Sequence, residues 1–204
     1  MTATPFVTIE ATVPWNTLEE RVRATTLLDQ PEVRPYEHAV ITLERVRYAD
    51  VQTTSLYVSR AHLRVQTQIA QDIHDQGGHH PLELSSGLLL TSNDQAGQQT
   101  RTTFVPPIIE RTTTEGTYVL DGSHRLNIGR WSGRESFMAI VISNIDPKYP
   151  AYAHPNNWDE VLMYDEPPRE AALRKRYRVK PDYYTLYRDF SALNGSRPRY
   201  STGA

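Results

Sequence analysis

The stretch Asp121-Gly122-Ser123-His124-Arg125 concentrates residue types that can do chemistry, and it sits where an apolar segment, Thr117 to Leu120, gives way to a helical one, Leu126 to Trp131. A glycine at such a junction permits a backbone turn that a side chain would obstruct, and Ser123 is placed to cap the following helix through its hydroxyl. The first N–H groups of that helix point outward at one spot, a geometry that attracts phosphate, and His124 and Arg125 add donors and positive charge. Asp121, ending the strand, can hold a metal ion, accept a proton or merely fix the turn. The plainer alternative is a common Asp-Gly turn with a serine cap and solvated His124 and Arg125. Against it stands the gathering of Ser, His and Arg at one helix start directly after an apolar strand.

The surrounding pattern supplies the elements that must position this turn. Val105 to Glu110 and Thr117 to Leu120 read as strands about the turn TTTEG, and Phe137 to Ser143 as a strongly apolar strand. Upstream, His38 to Val46 alternates as a strand does. The segment SRAHLRVQTQIAQDIHDQGG reads as a helix capped by Ser59 and stopped at Gly77-Gly78. NTLEERVRATTLL is a helix with Asn16 as its cap and Glu19 as reciprocal partner. Between His79 and Thr103 the pattern loosens into one apolar piece, LELSSGLLLT, readable as a strand, and a polar remainder readable as an exposed loop or hairpin tip. After Ser143, helices are expected at NNWDEVLMY, PREAALRKRY and PDYYTLYRDFSAL, the last with a stripe of Tyr183, Tyr184, Tyr187 and Phe190 packed on the sheet.

Composition bounds the chemistry. The chain has 204 residues, enough for one buried core, with 38% hydrophobic and 23% charged residues. No cysteine is present, which excludes thiol nucleophiles, disulfides and thiolate-held metals. A formal net charge of -2 is too near zero for bulk charge to drive binding to a polyanion. No apolar run approaches the length of a membrane span and no secretory signal is evident, so a cytoplasmic protein without membrane contact is expected. HDQGGHH offers His74, His79 and His80, but their spacing fits no standard zinc pattern.

FVPPIIER, then TYVLDGSHRLNIGRWSG, then ESFMAIVIS resembles the core of the ParB/sulfiredoxin-like superfamily, and ITLERV with the helix after it is similar to that family's N-terminal half. The resemblance implies an α/β (α+β) fold, a small mixed sheet with helices. It implies an N-terminal extension over 1–37, a core over 38–150 interrupted by an insertion at about 80–103, and a C-terminal helical extension over 151–204 packed on the core. Sulfiredoxins carry Gly-Cys-His-Arg at this turn; here Gly122-Ser123-His124-Arg125 keeps the phosphate-binding pair and lacks the thiol. The family's free-serine kinases carry an Asp-Gly-His-Thr-Arg type of turn, matched by Asp121, Gly122 and Arg125 but not by the two middle positions. ParB partition proteins usually have Gly-Glu-Arg-Arg, use CTP and carry a helix-turn-helix; neither the arginine pair nor an obvious helix-turn-helix is present here.

On that resemblance the leading expectation is a phosphotransferase acting on a small hydroxyl-bearing molecule, using ATP or ADP, or CTP, with Mg²⁺. Gly122, Ser123, His124 and Arg125 would hold the phosphates, and Asp121, His124 and Glu44 would be catalytic, with Asp121 also on the metal. Glu44 is equally readable as a surface residue. The rival expectation is a non-catalytic, nucleotide-responsive DNA-binding or regulatory module, supported by the basic stretch LRKRYRVK from Leu173 to Lys180. Against the rival, that stretch also reads as the solvated face of a helix. The sequence does not fix the oligomeric state.

Overall fold

The eight residues Ser136–Ser143 are apolar enough to be buried on both faces, and in the computed structural model they form the second strand of a five-stranded mixed sheet. The structure describes residues 6–93 and 99–194. Its first half runs β1 (Val7–Val13), α1 (Trp15–Arg23), β2 (Thr26–Leu27), β3 (Val40–Arg47), β4 (Gln52–Thr53), β5 (Tyr57–Ser59), α2 (Arg60–Gly77) and β6 (Gly87–Asn93). There follow β7 (Gln99–Phe104), β8 (Ile108–Thr112), β9 (Gly116–Asp121), α3 (Ser123–Trp131) and β10 (Ser136–Ser143). The C-terminal part contributes β11 (Ala153–His154), β12 (Leu162–Tyr164), α4 (Ala171–Arg174), β13 (Arg176–Tyr177), β14 (Arg188–Asp189) and α5 (Ser191–Asn194).

The main sheet has the order β3-β10-β8-β9-β4, with β10 antiparallel to β3 and parallel to β8, and β8 and β9 forming a hairpin. Side chains alternate across it. On one face Ile109, Val119, Ala139 and Val141 pack with Leu126 of α3 and with Trp158. On the other, Ile41, Ile108, Ile140 and Ile142 pack with Leu18 and Val22 of α1, with Tyr36 and with Leu193. The sheet is thus a middle layer that holds α3 against one side, and the α+β class read from the sequence is the one found.

The strands and helices around the turn fall close to their expected places. Two local expectations differ, and one is found as read. Asn16 lies inside α1, whose N-cap is Pro14 and which has no side-chain cap. The strand β8 starts at Ile108 and not at Val105, because Pro106 and Pro107 have no N–H to give to a ladder. The apolar piece in the 80–103 region is β6; it pairs with β7 and with β1 as a separate three-stranded sheet, and the tip at 94–98 lies outside the described residues.

The C-terminal region departs most. NNWDEVLMY is a 3-10 turn at Trp158–Glu160 followed by β12, and α4 is only four residues long. PDYYTLYRDFSAL holds a 3-10 turn at Tyr183–Leu186, β14 and α5. What holds the segment instead is a buried charge cluster. Arg188 is 1% exposed and forms an ion pair at 3.0 Å with Glu110 of β8. Glu110 also accepts hydrogen bonds from the hydroxyls of Tyr36 at 2.6 Å and Tyr118 at 2.9 Å. Arg188 further donates to the carbonyls of Tyr149 and Leu186. The segment is therefore tied through the sheet's own core.

Candidate functional site

The β9–α3 junction is built as its glycine requires. Gly122 has φ +93, and a Cβ there would lie 2.8 Å from Arg125 Nε and 3.2 Å from Pro107 Cβ. Gly122 itself is the N-cap: its carbonyl accepts from the Leu126 N–H at 3.0 Å, and no side chain caps the helix. Ser123 is the first helical residue, so the expected serine cap is absent. The early N–H groups of α3 keep the anion-facing geometry of any uncapped helix start.

The side chains of the turn take different directions. Arg125 is 7% exposed and turns inward, donating to the Val105 carbonyl, with its guanidinium 4.7 Å from the Phe104 ring centre and 4.0 Å from the Asp121 carboxylate. A guanidinium so engaged organises the turn from beneath. His124 faces the start of α2: its Nε2 accepts the Ser59 N–H at 3.3 Å, and its ring meets His62 edge-on at 4.9 Å and Tyr57 at 5.9 Å. Burial, then the neighbouring His62, lower its pKa to about 4. At neutral pH His124 is an uncharged imidazole accepting at Nε2, not a cation. Asp121 and Ser123 are half-buried and reach solvent.

Glu44 is not brought to this turn. It sits on β3, across from Ala139, while Asp121 on β9 lies opposite Ile108; β10 and β8 separate the two strands. Arg111 at 2.9 Å and Thr42 at 2.6 Å bond its carboxyl and hold it below the usual carboxylate range.

Lys175 lies near enough to the turn for its charge and that of Asp121 to act on each other. Its backbone is extended, with φ -158 and ψ 156, just beyond the short α4. The Nζ donates to Thr54 Oγ1 at 3.0 Å and lies 5.1 Å from the Tyr152 ring centre. Thr54 in turn donates to the Val119 carbonyl at 2.8 Å, two residues before Asp121. Desolvation lowers the Lys175 pKa to about 8, opposed by the Asp121 carboxylate nearby. The signal for it was present: the chain has only three lysines, Lys148, Lys175 and Lys180, and this one interrupts a run of arginines. Helical spacing alone puts it on a solvated helix face; the backbone leaves the helix at Lys175 instead.

The rest of the basic stretch is occupied within the molecule. Arg174 bonds the Pro168 carbonyl, Arg176 pairs with Glu160 at 2.6 Å, and Arg178 pairs with Glu115 and bonds the Ala151 carbonyl. Tyr177 stacks on Tyr183 at 4.1 Å. Among the described residues no group of three or more His or acidic side chains converges on a metal position. Two shallow hollows of about 520 and 590 Å³ lie away from the turn, lined by Tyr48, Arg130 and Trp158 and by Arg45, Arg47 and Arg111 respectively. Neither includes Asp121, His124 or Lys175, and their polar side chains are largely joined in ion pairs such as Arg130 with Asp159 and Arg47 with Asp50. No described helix is long and apolar enough to cross a membrane.

A mixed sheet carrying a strand–glycine–helix junction, with Asp121 and His124 at the start of α3, defines an α+β protein. The ParB CE domain model matches residues 17–162, most of the chain, and the chain belongs to that family. The match extends beyond 38–150 on both sides, as the shared packing of α1 with the sheet does. The chain matches no curated protein and no solved structure.

Proposed function

We propose that this protein is a nucleotide-responsive module of ParB type that binds the phosphates of a nucleotide at the start of α3. The observation that carries the reading is the uncapped α3 N-terminus behind Gly122, with Lys175 as a nearby cation and Asp121 as a nearby acid. Family membership supports a nucleotide or nucleic-acid partner. Between these the nucleotide is favoured, because the basic stretch from Arg174 to Arg178 is engaged by internal partners. Asp121 is a single carboxylate, which fits Mg²⁺ arriving with nucleotide phosphates, since that ion is commonly held by one or two carboxylates plus phosphate oxygens. When bound, the ion would neutralise phosphate charge.

A thermal-shift panel of CTP, ATP and ADP, with and without Mg²⁺, tests the reading on the wild type and on Asp121→Asn. It expects stabilisation by at least one nucleotide, with the magnesium dependence lost in the variant. Absence of a shift with every nucleotide contradicts it.

A second reading, phosphoryl transfer to a small hydroxyl compound, is favoured by one observation: the half-buried Asp121 stands beside an uncharged His124 and an amine of lowered pKa, groups suited to moving a proton. Asp121 would accept the proton of the acceptor hydroxyl, and the α3 N–H groups and Lys175 would hold the phosphates. Nucleotide consumption by wild type that Asp121→Asn abolishes while still binding would establish it; binding without turnover in the wild type would leave the module.

A further inference from the structure

The cation expected to face phosphate at this turn, Arg125, is buried against the Val105 carbonyl and Phe104. His124 has its Nε2 occupied by the Ser59 N–H. An anion at the start of α3 must therefore find its positive charge elsewhere. We infer that Lys175, delivered from the C-terminal segment, is the phosphate-contacting residue of the site. This rests on reading the β9–α3 turn as a phosphate site.

Three placements support it. The Lys175 ammonium carries three donors, and Thr54 accepts from it while the Tyr152 ring lies alongside, which leaves donors for a ligand. Asp121 is near enough to favour its charge, yet no ion pair within 4.0 Å joins the two, so the amine is not locked onto the acid. The segment is held in place independently of any ligand. The Leu56 N–H donates to the Arg174 carbonyl at 2.9 Å, the Arg178 N–H to the Tyr152 carbonyl at 3.1 Å, and β13 pairs with β11. A lysine so positioned is a preorganised contact, and desolvation keeps its amine nucleophilic near neutral pH.

Pyridoxal 5′-phosphate is a direct probe, because it carries a phosphate and an aldehyde on one small ring. The aldehyde carbon bonds to the lysine nitrogen with loss of water, and borohydride then delivers hydride to the imine carbon, leaving a stable secondary amine. Peptide mapping of the intact chain at pH 8 should show Lys175 labelled roughly tenfold or more over Lys148 and Lys180, as expected for an amine with a larger neutral fraction. Inorganic pyrophosphate should suppress the Lys175 label and leave the other two unchanged. Equal labelling of the three lysines, or a Lys175 label indifferent to pyrophosphate, overturns the inference. If no nucleotide binds yet pyrophosphate protects Lys175, the nucleotide reading falls and the phosphate contact stands. If nucleotides bind but leave Lys175 unprotected, the nucleotide reading stands and Lys175 is excluded. Lys175→Gln, checked for folding by its circular dichroism, should lose the pyrophosphate-dependent stabilisation that Lys148→Gln retains.

Discussion

At the scale of single residues, the turn combines a conformational demand with a titration. Gly122 occupies left-handed space with Arg125 close beneath it, so Gly122→Ala should destabilise by about 1–3 kcal/mol and weaken nucleotide binding, measured by urea unfolding and by titration. His124 contributes a pH dependence with a definite sign. Its folded pKa of about 4 lies below the ordinary 6.5, so between these values the unfolded chain binds a proton that the folded one refuses. The stability associated with neutral His124 is complete above about 6.5 and is lost as pH falls toward 4. With the partial exposure of the ring, the loss should be on the order of 2 kcal/mol. His62 and Tyr57 meet the ring and the charges of Asp121 and Lys175 act on it, so the measurement compares wild type with His124→Gln across this window, and a flatter curve in the variant is expected. Identical curves would place the imidazole in water.

At the scale of elements, the buried Glu110–Arg188 pair fastens β14 to the sheet and, with the Tyr152 contacts, fixes the segment that presents Lys175. Arg188→Met leaves Glu110 buried and unpaired and should cost about 3–5 kcal/mol, while Arg188→Met combined with Glu110→Gln should recover part of that loss in chemical denaturation. The elements around the turn were legible in the sequence because they depend on local pattern: β10 is an apolar run, α2 has Ser59 as its cap and Gly78 beyond its end, and the Asp-Gly junction separates β9 from α3. The C-terminal segment was not legible for a physical reason. Its residues have helical spacing, but the ring contacts among Tyr152, Tyr177, Tyr183 and Tyr187 and the buried charge of Arg188 decide the backbone. Lys175 was missed with it. Arg125 was found as a residue of the turn, but its inward direction depends on Val105 and Phe104, which no local pattern discloses.

At the scale of the whole molecule, one core joins α1, the sheet and the C-terminal segment, and the family match spans most of that body. A net charge of -2 with arginines paired internally suits a ligand that meets one local cation, not a polyanion that meets many. Raising salt from about 50 to 200 mM should therefore weaken nucleotide binding by less than about tenfold, where six or more phosphate contacts would give about a thousandfold. Isothermal titration at the two salt concentrations checks this. Phosphate binding at the start of α3 is tested by a backbone amide NMR titration of the chain with CTP and with ATP in the presence of Mg²⁺. The largest shifts are expected on Gly122, Ser123, His124 and Lys175. Shifts centred on the hollow at Tyr48 and Trp158, or none at saturating nucleotide, would contradict it.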